Sequence, residues 1–154
     1  MSTTTQLEAW AAKHILHFLG VFSAYSLPDP EIAANTAPTA LIVNYDPGPP
    51  GSHWVACRVD RHAVEWFDSF GLAPDADDLI LGHQTQFREY LEEVCRLLGV
   101  DAYSFNTADL QSLPARTCGH YALYFALHGP KKGWESFGPH REANDRRIQQ
   151  LVKL

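Results

Sequence analysis

The chain has 154 residues and a mass of 17.2 kDa, enough for one domain with a proper core. Its 45% hydrophobic and 19% charged residues describe an ordinary globular protein and exclude a disordered one. With 18 Asp and Glu against 12 Lys and Arg, the formal net charge of −6 argues against a dominant nucleic-acid or anionic-membrane surface.

Residues 1–5 are polar and uncharged, which does not fit a signal peptide. Residues 6–19 read as a helix with Leu7, Trp10, Ala11, His14, Ile15 and Phe18 on one core-facing side. Residues 18–25 read as a strand, ended by Leu27-Pro28-Asp29-Pro30, and residues 31–38 as a loop. Residues 39–45 are strongly apolar, as expected of a central strand. A turn-forming run, residues 46–51, then leads into two strands, 53–60 and 63–70, joined through Asp60-Arg61-His62 as a hairpin. Trp54 and Trp66 read as packing in or over that sheet, and a substrate-facing position is the second reading of Trp54. The acidic loop with Asp75, Asp77 and Asp78 lacks the Gly and closing Glu of a calcium loop, so it reads as solvated.

A helical pattern follows over residues 79–98, with Leu79, Phe87, Leu91, Val94, Cys95 and Leu98 on its apolar side and Gly99 as its stop. Residues 100–105 read as a strand leading toward Gln111. The apolar run 121–127, closed by Gly129-Pro130, marks another helix, and a last amphipathic segment spans about 141–153 with Ile148, Leu151 and Val152 as its stripe. No apolar run approaches the roughly 20 residues of a membrane span. The order of elements predicts an α+β layer fold with a mixed or mainly antiparallel central sheet. Three cysteines at irregular spacing, Cys57, Cys95 and Cys118, make neither a disulfide framework nor a metal site, and imply a reducing compartment.

One of these cysteines stands in an activating position. Thr117 is a good N-cap residue, so Cys118 falls in the first turn of its helix. There the unpaired N–H groups and the helix dipole favour an anion, and a thiol is drawn toward thiolate. A cysteine nucleophile needs a base, and the base an orienting group. His53 stands at the start of the first hairpin strand and Asp68 near the end of the second. Antiparallel pairing makes those two ends neighbours, so His53 and Asp68 can face each other.

The order His53-Trp54, then Phe67-Asp68-Ser69-Phe70-Gly71, then Gln111, then Cys118-Gly119 resembles the adenovirus protease (adenain) family, in the superfamily that includes the SUMO-deconjugating proteases. The resemblance covers about residues 15–130 and includes the strand-like segments 18–22 and 41–44. Asp68 stands where the adenoviral enzymes carry Glu, as in the SUMO-protease branch. The C-terminal part is also short, so extra elements of the adenoviral enzymes are expected to be absent.

The resemblance implies a papain-like arrangement in which the nucleophile helix packs against the sheet. It implies Cys118 as nucleophile, His53 as base and acid, and Asp68 as the group that orients the imidazole. Gln111 would supply an oxyanion donor together with the backbone N–H of Cys118. Trp54 and Gly119 would lie along the substrate, Gly119 letting its backbone approach the sulfur. The expected activity is that of a viral or virus-derived endopeptidase cutting protein precursors after glycine, without a cofactor. The alternatives are an isopeptidase for a ubiquitin-like modifier and an inactive binding module with a protease fold. The expected location is a reducing host compartment, cytoplasm or nucleus, or the virion. The adenoviral enzymes are stimulated by DNA and by a short peptide that bonds through a cysteine. Here the few basic pairs, Lys131-Lys132 and Arg146-Arg147, lie after the nucleophile helix and make at most a small patch, so DNA is not expected to be a strong cofactor. Dependence on an activating peptide is expected to be weaker too, since Cys95 reads as core and Cys57 lies in a paired strand.

Overall fold

The computed structural model describes residues 3–44, 53–76, 86–112 and 115–154, apart from the side chains of 131–134. One five-stranded mixed sheet runs in the order β1-β2-β3-β4-β5. Its strands are β1 Phe18–Ser23, β2 Thr39–Asn44, β3 Trp54–Val59, β4 Val64–Phe67 and β5 Ser104–Phe105. The outer pairs, β1 with β2 and β4 with β5, are parallel, and the inner pairs are antiparallel. The helices among the described residues are α1 Thr4–His14, α2 Pro30–Asn35, α3 Phe87–Leu98, α4 Cys118–Ser136 and α5 Arg141–Leu151.

The apolar run of β2 follows from burial on both faces. Ala40 and Ile42 join Trp54, Ala56 and Phe67 in a core covered by α1, α4 and α5. Leu41 and Val43 join Val55, Cys57, Val64 and Trp66 in a second core covered by α2 and α3. Each fully buried Leu, Ile or Val in these layers contributes about 1.5–3 kcal/mol. The Phe67 and Phe125 rings stack at 3.9 Å, fastening β4 to α4.

Local chemistry moves several boundaries from those expected. Helix α1 starts earlier than residue 6, because Thr3 and Gln6 form a reciprocal capping box with bonds of 2.9 and 3.2 Å. It ends at His14, and Phe18 already belongs to β1. Its buried side is Leu7, Ala11 and Ile15, while His14 is exposed and stacks on Trp10 at 4.0 Å.

Residues 31–35, part of the stretch 31–38 expected as loop, instead belong to α2, Pro30–Asn35. Asp29 accepts the Glu31 N–H at 3.1 Å and Pro30 opens the helix. This short helix is part of the crossover that parallel strands β1 and β2 require. Residues 79–85 of the long helical pattern lie outside the described residues; α3 begins at Phe87 and stops at Gly99 as expected. The strand expected over 100–105 shrinks to Ser104–Phe105. Gly129 breaks α4 with φ 79°, but the helix resumes over 130–136 instead of closing there. Ile148 and Val152 are buried, whereas Leu151 is exposed and drops out of the expected stripe.

The turn after β4 depends on Gly71. Its N–H donates to Asp68 O at 2.8 Å, and its φ is +73°. A Cβ there would lie 2.6 Å from Thr107 O and 2.9 Å from the Ala108 carbonyl, both backbone. Gly71→Ala is therefore expected to destabilise the fold by about 2 kcal/mol or more, from left-handed strain plus overpacking. A denaturant midpoint that stays at the wild-type value would contradict this reading of the turn.

Candidate active site

The hairpin register brings His53 and Asp68 together. Ala56 pairs with Phe67, so the chain just before β3 faces the chain just after β4. His53 Nε2 lies 2.8 Å from Asp68 Oδ1. The imidazole also stacks on Phe70, with ring centroids 5.0 Å apart. The two side chains are 15% and 1% exposed, respectively.

Asp68 is itself held. Its Oδ1 also accepts the Phe70 N–H at 2.8 Å. Its backbone N–H donates to Asn106 Oδ1 at 2.8 Å, and Asn106 Nδ2 donates back to the Asp68 carbonyl. Asn106 thus grips the main chain of Asp68 from both sides and fixes where the carboxylate points. No local pattern marked Asn106, because it stands 38 positions from Asp68.

Cys118 is the first residue of α4 and is 7% exposed. The helix starts as expected, with the Tyr121 N–H donating to Thr117 O at 3.1 Å. The Thr117 hydroxyl, however, donates to Asp145 Oδ1 at 3.1 Å on α5. The sequence places the cap correctly but gives no sign of this partner.

His53 feels both neighbours. Burial lowers its pKa, but the Asp68 carboxylate, the Asp68 hydrogen bond and the hydrogen bond and charge of Cys118 outweigh it, raising the value from 6.5 to about 10. With Nε2 turned to Asp68, Nδ1 is the ring nitrogen on the side of the sulfur. Cys57 and Cys95 belong to the opposite core. Burial, helped by Cys95 and Glu65, pushes the Cys57 thiol up to about 12, and burial raises Cys95 as well. These two remain protonated, unreactive thiols.

Gln111 is 2% exposed and fixed at both ends of its amide. Its Oε1 accepts from Ser69 Oγ, and its Nε2 donates to Ala115 O at 2.8 Å. The amide keeps one further N–H. Ser69 lies inside the Phe67-Asp68-Ser69-Phe70-Gly71 segment, so one short stretch supports both His53 and Gln111. Gly119 is buried in the first turn of α4. Trp54 is 3% exposed and packs in the core beneath α4; its indole N–H has no partner among the described residues. The buried Nδ1 of His120 likewise lacks one, and burial lowers the pKa of that ring. The structure provides no account of His120.

Among the described residues, no group of three His, Cys, Asp or Glu side chains could hold a metal ion, and no helix is long and apolar enough to cross a membrane. No protein-family model and no curated protein matches the sequence. Solved structures do match. The ASFV pS273R protease superimposes with a TM-score of 0.60 at 17% identity, covering 95% of this chain and 65% of that one. A second structure of that protease, with selenomethionine, gives 0.57 at 14% identity, covering 100% and 68%. AvrA, solved with IP6 and CoA, gives 0.50 at 19% identity, covering 94% and 53%.

The chain shares the fold of the ASFV pS273R protease. It spans about two thirds of the ASFV protease and about half of AvrA. The helix carrying Cys118 packs against the mixed sheet, as the sequence resemblance implies.

The His53 environment can be tested directly. The raised pKa stabilises the folded chain fully below about 6.5, and that contribution is lost as pH rises through about 10. An NMR titration of the His53 ring is expected to show the protonated form well past neutral pH. Asp68→Asn should bring the midpoint down by at least about one unit, since it removes the charge that dominates the rise. A wild-type midpoint near the ordinary 6.5 would contradict the pairing.

Proposed function

We propose that the chain is a cysteine endopeptidase acting on protein precursors. The observation that carries this reading is the His53 imidazole held between a buried Asp68 carboxylate and the Cys118 thiol at a helix start. Likeness to the ASFV protease supports both peptidase chemistry and a viral or virus-derived source. The site of action follows the same reading: a reducing host compartment or the virion.

In this reading Cys118 Sγ, as thiolate, attacks the scissile carbonyl carbon, while His53 carries the proton. The carbonyl π pair moves to oxygen, which becomes an oxyanion. The remaining N–H of Gln111 and the backbone N–H of Cys118 are the donors for that charge. His53 then gives its proton to the leaving amine as the C–N bond breaks, leaving a thioester on Cys118. Water, with His53 as base, hydrolyses the thioester and restores the thiolate–imidazolium pair. Asp68 keeps Nε2 engaged, so the Nδ1 proton is aimed at the sulfur and the substrate. Gly119 stands next to Cys118 at the approach to Sγ, whereas Trp54 is packed in the core beneath α4; the preference for glycine before the cut is carried by the adenain resemblance.

Cys118→Ala is expected to abolish cleavage without unfolding the protein, and His53→Ala to do nearly the same. Asp68→Asn should lose less, though still about tenfold or more, because the residues act as a unit. Gln111→Ala should lower kcat by about a hundredfold with little change in KM. Iodoacetamide should label Cys118 in preference to Cys57 and Cys95. Full activity in Cys118→Ala would end the assignment. Cleavage profiling against a glycine-rich peptide library and modifier-fused substrates separates endopeptidase from isopeptidase: turnover of the fusions alone would favour the latter.

DNA is not a strong cofactor in this reading, and basal activity depends less on a disulfide-linked peptide than that of the adenoviral enzymes. Peptide cleavage with and without duplex DNA, from about 20 to 200 mM salt, tests the first point. The expected DNA effect is less than about tenfold at every salt concentration. A larger rise that collapses with salt would reveal a local basic track.

A further inference from the structure

We infer that Asp145, on α5, is a positioning residue that sets the oxyanion site; the inference rests on the peptidase reading above. Asp145 is buried, and its carboxylate meets four donors. Oδ2 accepts the Ser112 N–H at 3.1 Å and the Ser112 hydroxyl at 2.6 Å. Oδ1 accepts the Thr117 hydroxyl at 3.1 Å and the Tyr121 hydroxyl at 2.9 Å. No cation pairs with this carboxylate among the described residues.

The placement gives the network its meaning. Ser112 follows Gln111, and Thr117 precedes Cys118. One carboxylate therefore fastens the chain next to each of the two groups assigned to the oxyanion. Neighbouring contacts hold the same stretch. Asn144 Nδ2 donates to Leu110 O at 3.2 Å, Tyr121 Oη reaches that same carbonyl at 3.3 Å, and Arg141 pairs with Asp109 at 3.1 Å. The helix α5 thus braces residues 109–112 and the start of α4 together.

A buried carboxylate without a cation is a costly way to fill space, and apolar groups of similar volume usually serve stability as well or better. Its four-way acceptance is suited to geometry: two oxygens offer about four lone-pair sites, and all four contacts here are donors. An amide at this position would keep one acceptor oxygen and turn an NH2 toward donors. Loosening the brace would let Gln111 drift relative to Cys118. Donors for a developing charge lose most of their effect when they are not fixed beforehand.

The test compares two reagents on the full chain. Iodoacetamide alkylates the sulfur without forming an oxyanion. A peptide aldehyde ending in glycinal forms a hemithioacetal whose oxygen needs the donors. Asp145→Asn is expected to weaken aldehyde inhibition and kcat by about tenfold or more, with iodoacetamide labelling of Cys118 and KM within about threefold of wild type. In a Gln111→Ala background, Asp145→Asn should cost clearly less than it does in the wild type, about threefold or less, because only the Cys118 N–H is left of the two donors it positions.

If Asp145→Asn does not fold by circular dichroism, Thr117→Val carries the test. It removes one of the four donors while keeping shape, and a selective loss of about threefold in aldehyde inhibition is expected. Equal slowing with both reagents, unchanged aldehyde inhibition, or losses that multiply fully with Gln111→Ala would overturn the positioning role. A wild-type Cys118 that reacts with neither reagent would instead overturn the peptidase reading, and this inference with it.

Discussion

The hydrogen bond between His53 and Asp68 is the contact on which the remainder of the site depends. A carboxylate this deeply buried is tolerable only when its oxygens are satisfied, and the 2.8 Å bonds from the imidazole and the Phe70 N–H do this at one oxygen. The imidazole in turn has its ring angle set by the bond and by stacking on Phe70. That leaves a single direction for its other nitrogen, toward the start of α4. The main chain at Asp68 cannot swing away, because Asn106 holds its N–H and C=O at once.

The same few residues serve fold and site together. Residues 67–71 end a core strand through Phe67, present the carboxylate of Asp68, and anchor Gln111 through Ser69. The Ser69 carbonyl also accepts the Leu110 and Gln111 N–H groups at 2.8 and 3.2 Å. A change in this turn would therefore be felt by the imidazole and by the Gln111 amide at once. Such coupling makes single substitutions here poor measures of individual contributions.

How much of this was legible in the sequence depended on the distance over which the cause acts. The apolar run of β2 and the hairpin that juxtaposes His53 and Asp68 are short-range patterns, and they read correctly. Helix α2 was missed although Asp29-Pro30 is a start signal, because Pro-rich surroundings favoured a loop. The capping box lies ahead of the apolar periodicity, with Thr3 four residues before Leu7, so hydrophobic spacing alone does not show it. Asn106 and Asp145 could not be read at all. Their partners stand 38 and 33 or fewer positions away, and polar residues satisfied in the interior look like any surface Asn or Asp. Gln111 was visible only through resemblance to a known family.

The two-sided sheet has a consequence for oxidation. Cys118 belongs to one core, and Cys57 and Cys95 to the other, with the strands between them. Cys57 is packed on the sheet face turned away from α4, and Cys95 lies in the same far core, so neither side chain faces Cys118 as a disulfide requires. A sulfenic acid formed on Cys118 therefore finds no resolving thiol within its own chain. Its repair depends on a thiol arriving from solution, and without one a further equivalent of peroxide-type oxidant carries it to the irreversible sulfinic and then sulfonic acid.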